Sequence, residues 1–350
     1  MSTWVPTEGT SDALLSVRDL KVTFPTEDGL VKAVNGLTFD LNAGETLGIV
    51  GESGSGKSVT SQAIMGLHRG TRAKVEGSID FDGKNLLKLE DEELRVMRGR
   101  DIAMIFQDPL SALHPYYTVG NQIIEAYKVH HGSASKAAVR AHVIDMLERV
   151  GIPNPQKRID QYPHEFSGGM RQRAMIAMAL VNSPRLVIAD EPTTALDVTV
   201  QAQILDLLID LQKDINAAII IITHDLGVVA EMADKIMVMY GGKAVEGGTA
   251  DQTFYSPEHP YTWGLLQSMP RIDRERLDRL RPIPGNPPSL ISPPSGCAFH
   301  TRCAYRDDEN LGCSTIVPEF DVQDWHPVRC LIPAPKRKAI FDTEIRTPSS

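Results

Sequence analysis

The first 296 residues contain no cysteine, and the four that the chain has fall together late, at Cys297, Cys303, Cys313 and Cys330. A disulfide framework stapling the main body is therefore excluded, and whatever the thiols do is confined to one late region. Long apolar runs are also missing. The best candidate, Ala217 to Thr223 between Asp214 and Asp225, falls far short of the roughly 20 residues that a membrane-spanning helix needs, and it reads as a buried strand. Met1 to Asp12 has neither a positive n-region nor an apolar h-region, so no secretory signal is expected and any membrane role would be peripheral. Nor is there a basic excess. Against 45 Asp and Glu there are 36 Lys and Arg, a net charge of −9, which argues against a nucleic-acid scaffold, and no nucleic-acid partner is expected.

With 350 residues, 42% of them hydrophobic and 23% charged, the chain can build one large α/β core and a smaller appendage. Residues 1–13 read as a loose polar tail. Leu14 to Asp40 alternates apolar and polar residues like half-buried strands, a β-rich entry. Thr46 to Val50 is a continuous apolar strand, followed by a glycine-rich turn and a helix from Lys57 to about Leu67. Residues 110–181 are helix-like, with Ala137 to Val150 apolar at three and four spacing. Strands are expected at Leu186 to Ala189 and Ala217 to Ile222, with a helix over Val198 to Gln212 between them, which implies a parallel sheet. Past Gly248 the texture changes to proline-rich, a boundary near Thr249. The stretch 334–350 reads as a mobile tail.

Gly51, Glu52, Ser53, Gly54, Ser55, Gly56, Lys57 and Ser58 form a complete phosphate loop directly after a strand and opening a helix. The glycines let the backbone curl with its N–H groups inward, Lys57 reaches the β and γ phosphates, and Ser58 ligates Mg2+. This loop does not choose among ATPases, GTPases and kinases. The strand Leu186 to Asp190 ends in two adjacent carboxylates, where Asp190 suits a magnesium shell and Glu191 an attacking water. Ser167, Gly168 and Gly169 precede a helix-like run, Arg173 to Val181, a further candidate anion-binding helix start.

In that order these elements, with Gln107, Thr194 to Asp197 and His224, resemble the ABC transporter ATPases over residues 14–248. The resemblance implies an α/β P-loop ABC ATPase domain with a parallel-sheet core, an antiparallel β entry and a helical subdomain at about 110–181. It also implies ATP and Mg2+ as ligands. Gln107 becomes the residue that senses magnesium and permease, so that Ser58, Gln107 and Asp190 serve the metal; Asp197 and His224 become further nucleotide-site residues, and Phe24 the aromatic on adenine. Catalysis then falls to Glu191, His224 and Gln107. Phe166 and Met170 depart from the family's Leu-Ser-Gly-Gly-Gln signature but leave Ser167 to Gly169, which in the family complete the site of a second ATPase subunit.

Phe106 to Leu113, Phe166 to Arg173 and Glu191 to Gln203, together with Tyr255-Ser256-Pro257, His259 to Thr262 and Pro284 to Pro288, are similar to the ATPase subunits of oligopeptide and dipeptide permeases. Residues 249–333 then correspond to the small cysteine-containing extension of that subfamily. The implied assembly is a peripheral subunit on the cytoplasmic face of the membrane, with a second ABC ATPase, a paralogue or another copy of this chain, two transmembrane permeases and an extracytoplasmic peptide-binding protein. An importer of nickel or another small solute shares these motifs. A soluble ABC ATPase shares them too, although a single cassette without a coiled-coil insertion or basic arm weighs against it. The cysteines are separated by five, nine and sixteen residues, unlike the paired spacing of zinc ribbons. By resemblance they hold a [4Fe-4S] cluster; zinc, free thiols and disulfides stay open from the residues themselves.

Overall fold

The structure, a computed structural model, describes residues 4, 13–194, 196–268, 282–322 and 324–346. In chain order its strands are β1 (Leu15–Thr26), β2 (Gly29–Leu41), β3 (Thr46–Val50), β4 (Lys74–Phe81), β5 (Lys84–Asn85), β6 (Ile102–Ile105), β7 (Leu186–Asp190), β8 (Ala218–Thr223), β9 (Lys235–Tyr240) and β10 (Lys243–Thr249). The α-helices are α1 (Lys57–Ile64), α2 (Asp91–Met97), α3 (Pro109–Ala112), α4 (Val119–Lys128), α5 (Lys136–Arg149), α6 (Pro155–Arg158), α7 (Gly168–Leu180), α8 (Val198–Ile215), α9 (Leu226–Met232), α10 (Ala250–Tyr255), α11 (Pro260–Gln267) and α12 (Ala334–Ile340). The chain divides into two compact units, 1–42 with 46–88 and 223–350, and 43–45 with 89–222.

The first unit holds the β-rich entry as an antiparallel sheet in the order β2-β1-β4-β5. β1 pairs with β2 from Leu15↔Leu41 to Thr26↔Gly29, and Leu15 with Val17 and Leu20 with Val22 are buried at the expected spacing of two, the phase changing at the register shift between Val17 and Leu20. β3 is buried along its whole length and runs parallel to β9, which pairs antiparallel with β10. The cysteine-containing extension joins the same core: Tyr261 and Phe299 pack with Val50, Val229, Val238, Tyr240 and Val245. Thr249 is thus a seam in the sequence rather than in the packing. Glu246 on β10, fully buried, accepts N–H from Glu258 and His259 and faces His326 Nε2 at 2.9 Å. The described part of the stretch expected to be a mobile tail, residues 334–346, differs: α12 and a π-helical turn, Phe341–Ile345, bury Ile340 and Phe341 in a cluster with Trp263, and residues 347–350 lie outside the described residues. Its apolar residues are too few to show a period, so the docking partner decides its order. Of the expected opening tail only Trp4 and Ala13 are described; Trp4 is buried, donating from its backbone N–H to Asp324 O at 3.0 Å.

In the second unit β6, β7 and β8 are parallel, with Ile102↔Leu186 and Leu186↔Ala218 in register. β7 and β8 are buried throughout, which is why they read as unbroken apolar runs. The helical segment spans α3 to α7, and α5 buries Val139, Val143, Met146 and Leu147, the stripe its spacing predicts. The compact unit is wider than the expected 110–181, because α2, β6 and the β7–α8–β8 crossover belong to it.

Candidate nucleotide site

The first unit supplies the phosphate loop. Its glycines have positive φ, 153° at Gly51, 77° at Gly54 and 102° at Gly56. Gly56 caps α1 with no side-chain hydrogen bond, and the helix start faces the loop as an anion-binding helix N-terminus does. Lys57 is buried and folds back onto the loop, donating to Gly51 O at 2.7 Å and Glu52 O at 3.0 Å. Ser58 follows on the same helical turn. Among the described residues the Ser55 hydroxyl is buried without a hydrogen-bond partner, a polar atom that an incoming phosphate oxygen would satisfy. Ser53 and Gly54 are exposed at the loop tip. Phe24, half-buried on β1, meets His68 edge to face at a centroid distance of 5.2 Å. His224 lies exposed in the turn between β8 and α9, beside Asp225, whose carboxylate caps α9 by accepting from Gly227 N–H.

Two contacts on this loop come from the extension. Glu52 N–H donates to Tyr261 Oη at 2.8 Å, and the Glu52 carboxylate receives Arg302 in a bidentate pair at 2.5 and 3.0 Å. Sequence reasoning missed both partners, since neither carries a local signal that points to residue 52.

The second unit supplies the carboxylates. Asp190 ends β7 and is buried. Glu191 turns at a positive φ of 50°, its N–H donating to Ile222 O at 2.8 Å. That turn swings its carboxylate to accept from Gln107 Nε2 and from Thr194 Oγ1, both at 2.9 Å. Gln107 and Glu191, which the sequence placed together only by resemblance, are therefore in direct contact. Thr194 as a partner of Glu191 was not anticipated. The helix at Ser167 begins earlier than its hydrophobic pattern suggests: α7 starts at Gly168 rather than Arg173, with Ser167 Oγ accepting from Met170 N–H. Gly168 and Gly169 are poor helix formers, which hid the first turn. Ser167 and Gly168 are exposed, as a surface that engages another molecule must be. Gln172, buried on α7, donates to Pro192 O at 2.5 Å and so ties that helix to the turn carrying Glu191. Asp197 is exposed and caps α8, accepting from Val200 N–H at 3.0 Å.

Cys297, Cys303, Cys313 and Cys330 line one cavity of about 20 Å³, with His259 and His300 also on its wall, and none is disulfide-bonded. Burial pushes the Cys303 thiol up to about 12 and Cys330 up to about 11, and raises Cys297 as well, so these three are neutral as they stand. Among the described residues no group of three or more His, Cys, Asp or Glu side chains is arranged to hold a metal ion. The four thiols share one cavity wall, but a cavity with room for about one water is smaller than a cluster and would have to open to hold one.

Residues 34–194 match the ABC transporter family model, and residues 245–309 match the oligopeptide/dipeptide transporter C-terminal region. The oligopeptide transport ATP-binding protein OppD of Bacillus subtilis is 54% identical over 317 residues, 90% of this chain and 88% of that protein. The chain belongs to the ABC transporter family of ATPases. The dipeptide transport ATP-binding protein DppD of Bacillus subtilis is 54% identical over 91% of the chain and 94% of its own length. OppD of Salmonella typhimurium is 55% identical over 84% and 87%. Among solved structures, a dimeric ATP-binding cassette in a post-hydrolysis state bound to ADP and Pi shares 26% identity at a TM-score of 0.61, covering 67% of this chain and 98% of that one. The α/β cassette with its parallel and antiparallel strands is this ABC ATPase's fold. Among the described residues no helix is long and apolar enough to cross a membrane.

Proposed function

We propose that this ABC ATPase binds and hydrolyses ATP to drive import of di- or oligopeptides. It would sit peripherally on the cytoplasmic face of the membrane, with a second, paralogous ATPase, two permease subunits and an extracytoplasmic peptide-binding protein. The identity to oligopeptide and dipeptide transport ATP-binding proteins, running through the extension as well as the cassette, carries this reading. In it the loop N–H groups and Lys57 take the phosphates, with the Lys57 ammonium leaving its two carbonyl partners for phosphate oxygens. Ser58, Gln107 and Asp190 hold Mg2+, which neutralises the phosphate charge when bound. Glu191 releases Gln107 and accepts a proton from the attacking water as the bond to ADP breaks, His224 contacts the γ phosphate, and Phe24 stacks on adenine. Ser167 to Gly169, the first two of them exposed, complete the site of the partner ATPase, and Asp197 is a further nucleotide-site residue.

The test is uptake of labelled short peptides in cells carrying the native chain or Glu191→Gln at matched levels. Loss of uptake in the variant, with the effective lengths defining the cargo, is the expected result. Unchanged uptake overturns the peptide reading, and nickel is then the next solute to assay.

We propose further that the four cysteines hold a [4Fe-4S] cluster that cross-links residues 297–330, supported by their convergence on one cavity and by the four-thiolate ligand count of such clusters. Iron and sulfide in anaerobically purified protein, with a lowered melting temperature after chelation, are expected. Zinc without iron would sink the cluster.

A further inference from the structure

The grip of the extension on Glu52 goes beyond packing. All five N–H donors of Arg302 are engaged: two reach the Glu52 carboxylate, and the others reach Pro284 O at 2.8 Å, Ile283 O at 3.2 Å and Tyr240 Oη at 3.4 Å. Its side chain is 3% exposed. A guanidinium with every donor committed in a buried setting is a fixed point, not a flexible surface partner. Tyr261 is equally fixed, fully buried with its ring 4.6 Å from that of Tyr240 and 5.3 Å from that of Phe299.

What these two hold is the residue that positions Lys57. The Glu52 backbone is anchored by its N–H to Tyr261, its side chain by Arg302, and its carbonyl accepts both Lys57 Nζ at 3.0 Å and Ser55 N–H at 3.2 Å. One residue thus links a buried frame in the extension to the ammonium group of the loop. Burial and the Glu52 pair both bear on Arg302; the hydrogen bond to Glu52 dominates and keeps it charged.

We propose that Arg302 and Tyr261 are positioning residues of the ATP site, acting through Glu52 to set the phosphate loop and the resting place of Lys57. The proposal rests on the phosphate-loop reading of Gly51 to Ser58. It makes the extension a structural part of nucleotide binding rather than an appendage to it.

Affinity for MgATP, turnover and melting temperature of the full chain separate the possibilities. Tyr261→Phe deletes one acceptor oxygen and keeps the ring, so it folds even if Arg302→Met does not. Each variant is expected to weaken ATP affinity about tenfold, the size of one lost hydrogen bond to a fixed group, with turnover at saturating ATP changed less than affinity. Arg302→Lys should recover only part of the loss, because an ammonium cannot make the two-pronged contact. Arg302→Met combined with Glu52→Gln should bind ATP no worse than Arg302→Met alone, since the effect runs through that pair. A lowered melting temperature with unchanged ATP affinity in Tyr261→Phe and Arg302→Met overturns the proposal and leaves these residues a purely structural role. Lys57→Ala is the control: if it also keeps native affinity, the phosphate-loop reading itself has failed.

Discussion

The three glycines of the phosphate loop have different reasons to be glycine. A Cβ on Gly51 would stand 2.3 Å from Met239 O, and one on Gly56 would stand 2.3 Å from Ala33 O, whereas one on Gly54 meets nothing within 4 Å. Gly54→Ala should therefore cost only the backbone strain of its φ of 77°, about 1–2 kcal/mol. Gly56→Ala must push strand backbone aside and should cost more, about 3 kcal/mol or above. Urea melts of the two variants check the order, and equal losses would contradict it. The loop, Asp190 and Glu191 were legible because their chemistry is local in sequence. Which glycine is crowded was not, because Met239 arrives from a strand almost two hundred positions away. Arg302 and Tyr261 were illegible for the same reason: their partner lies 250 and 209 residues off. Gln107 and His224 carry no local signal either and were readable only through family resemblance.

Elements follow their patterns where burial is two-sided and depart from them at their ends. β3 and β7 lie where their apolar runs put them, while α1 stops at Ile64, short of Leu67, because Gly66 turns the chain left-handed at a φ of 66°. β6, four residues long, was invisible because so short a run shows no period and depends on β7 for its hydrogen bonds. Caps decide the other ends. Ser167→Ala should cost α7 about 1 kcal/mol, and the exposure of Ser167 means that a larger effect on ATP turnover than on melting would come from contact with another molecule. The cap of α11 depends on pH. His259, buried, offers Nδ1 as an acceptor to Tyr261 N–H at 3.1 Å, which requires an unprotonated nitrogen, and burial lowers its pKa to about 4 in spite of Glu246 nearby and a hydrogen bond to the Arg329 backbone, with the charge of Arg337 adding to the shift. The unfolded chain takes up that proton near 6.5, so the folded state is fully favoured above about 6.5 and loses stability as pH falls from there to about 4. The loss amounts to about 3 kcal/mol. His259→Asn keeps a capping acceptor without the titration, and its melting temperature should fall less than that of the native chain between pH 6.5 and 4.5; parallel curves would rule this out.

At the scale of the molecule, sequence texture and packing divide the chain differently. The change of texture past Gly248 lies close to the start of the matched C-terminal region at residue 245, yet Tyr261 and Phe299 are buried in one cluster with Val50 and Tyr240. A chain ending at Gly248 should accordingly lose near-ultraviolet circular dichroism and cooperative unfolding in the unit carrying the phosphate loop. A soluble fragment with a sharp transition would show that the cassette stands alone. No periodicity could have foretold this shared core, because the segment 282–333 packs through scattered aromatics and arginines rather than through a helix or strand face. The Glu52–Arg302 pair also sets a clock. A ribosome adding about 5–20 residues each second needs roughly 12–50 s to travel the 250 positions from one partner to the other. For that interval the phosphate loop already exists without the arginine that fixes it, so, on the proposal above, a nascent chain still short of residue 302 holds its nucleotide more weakly than one that has passed it.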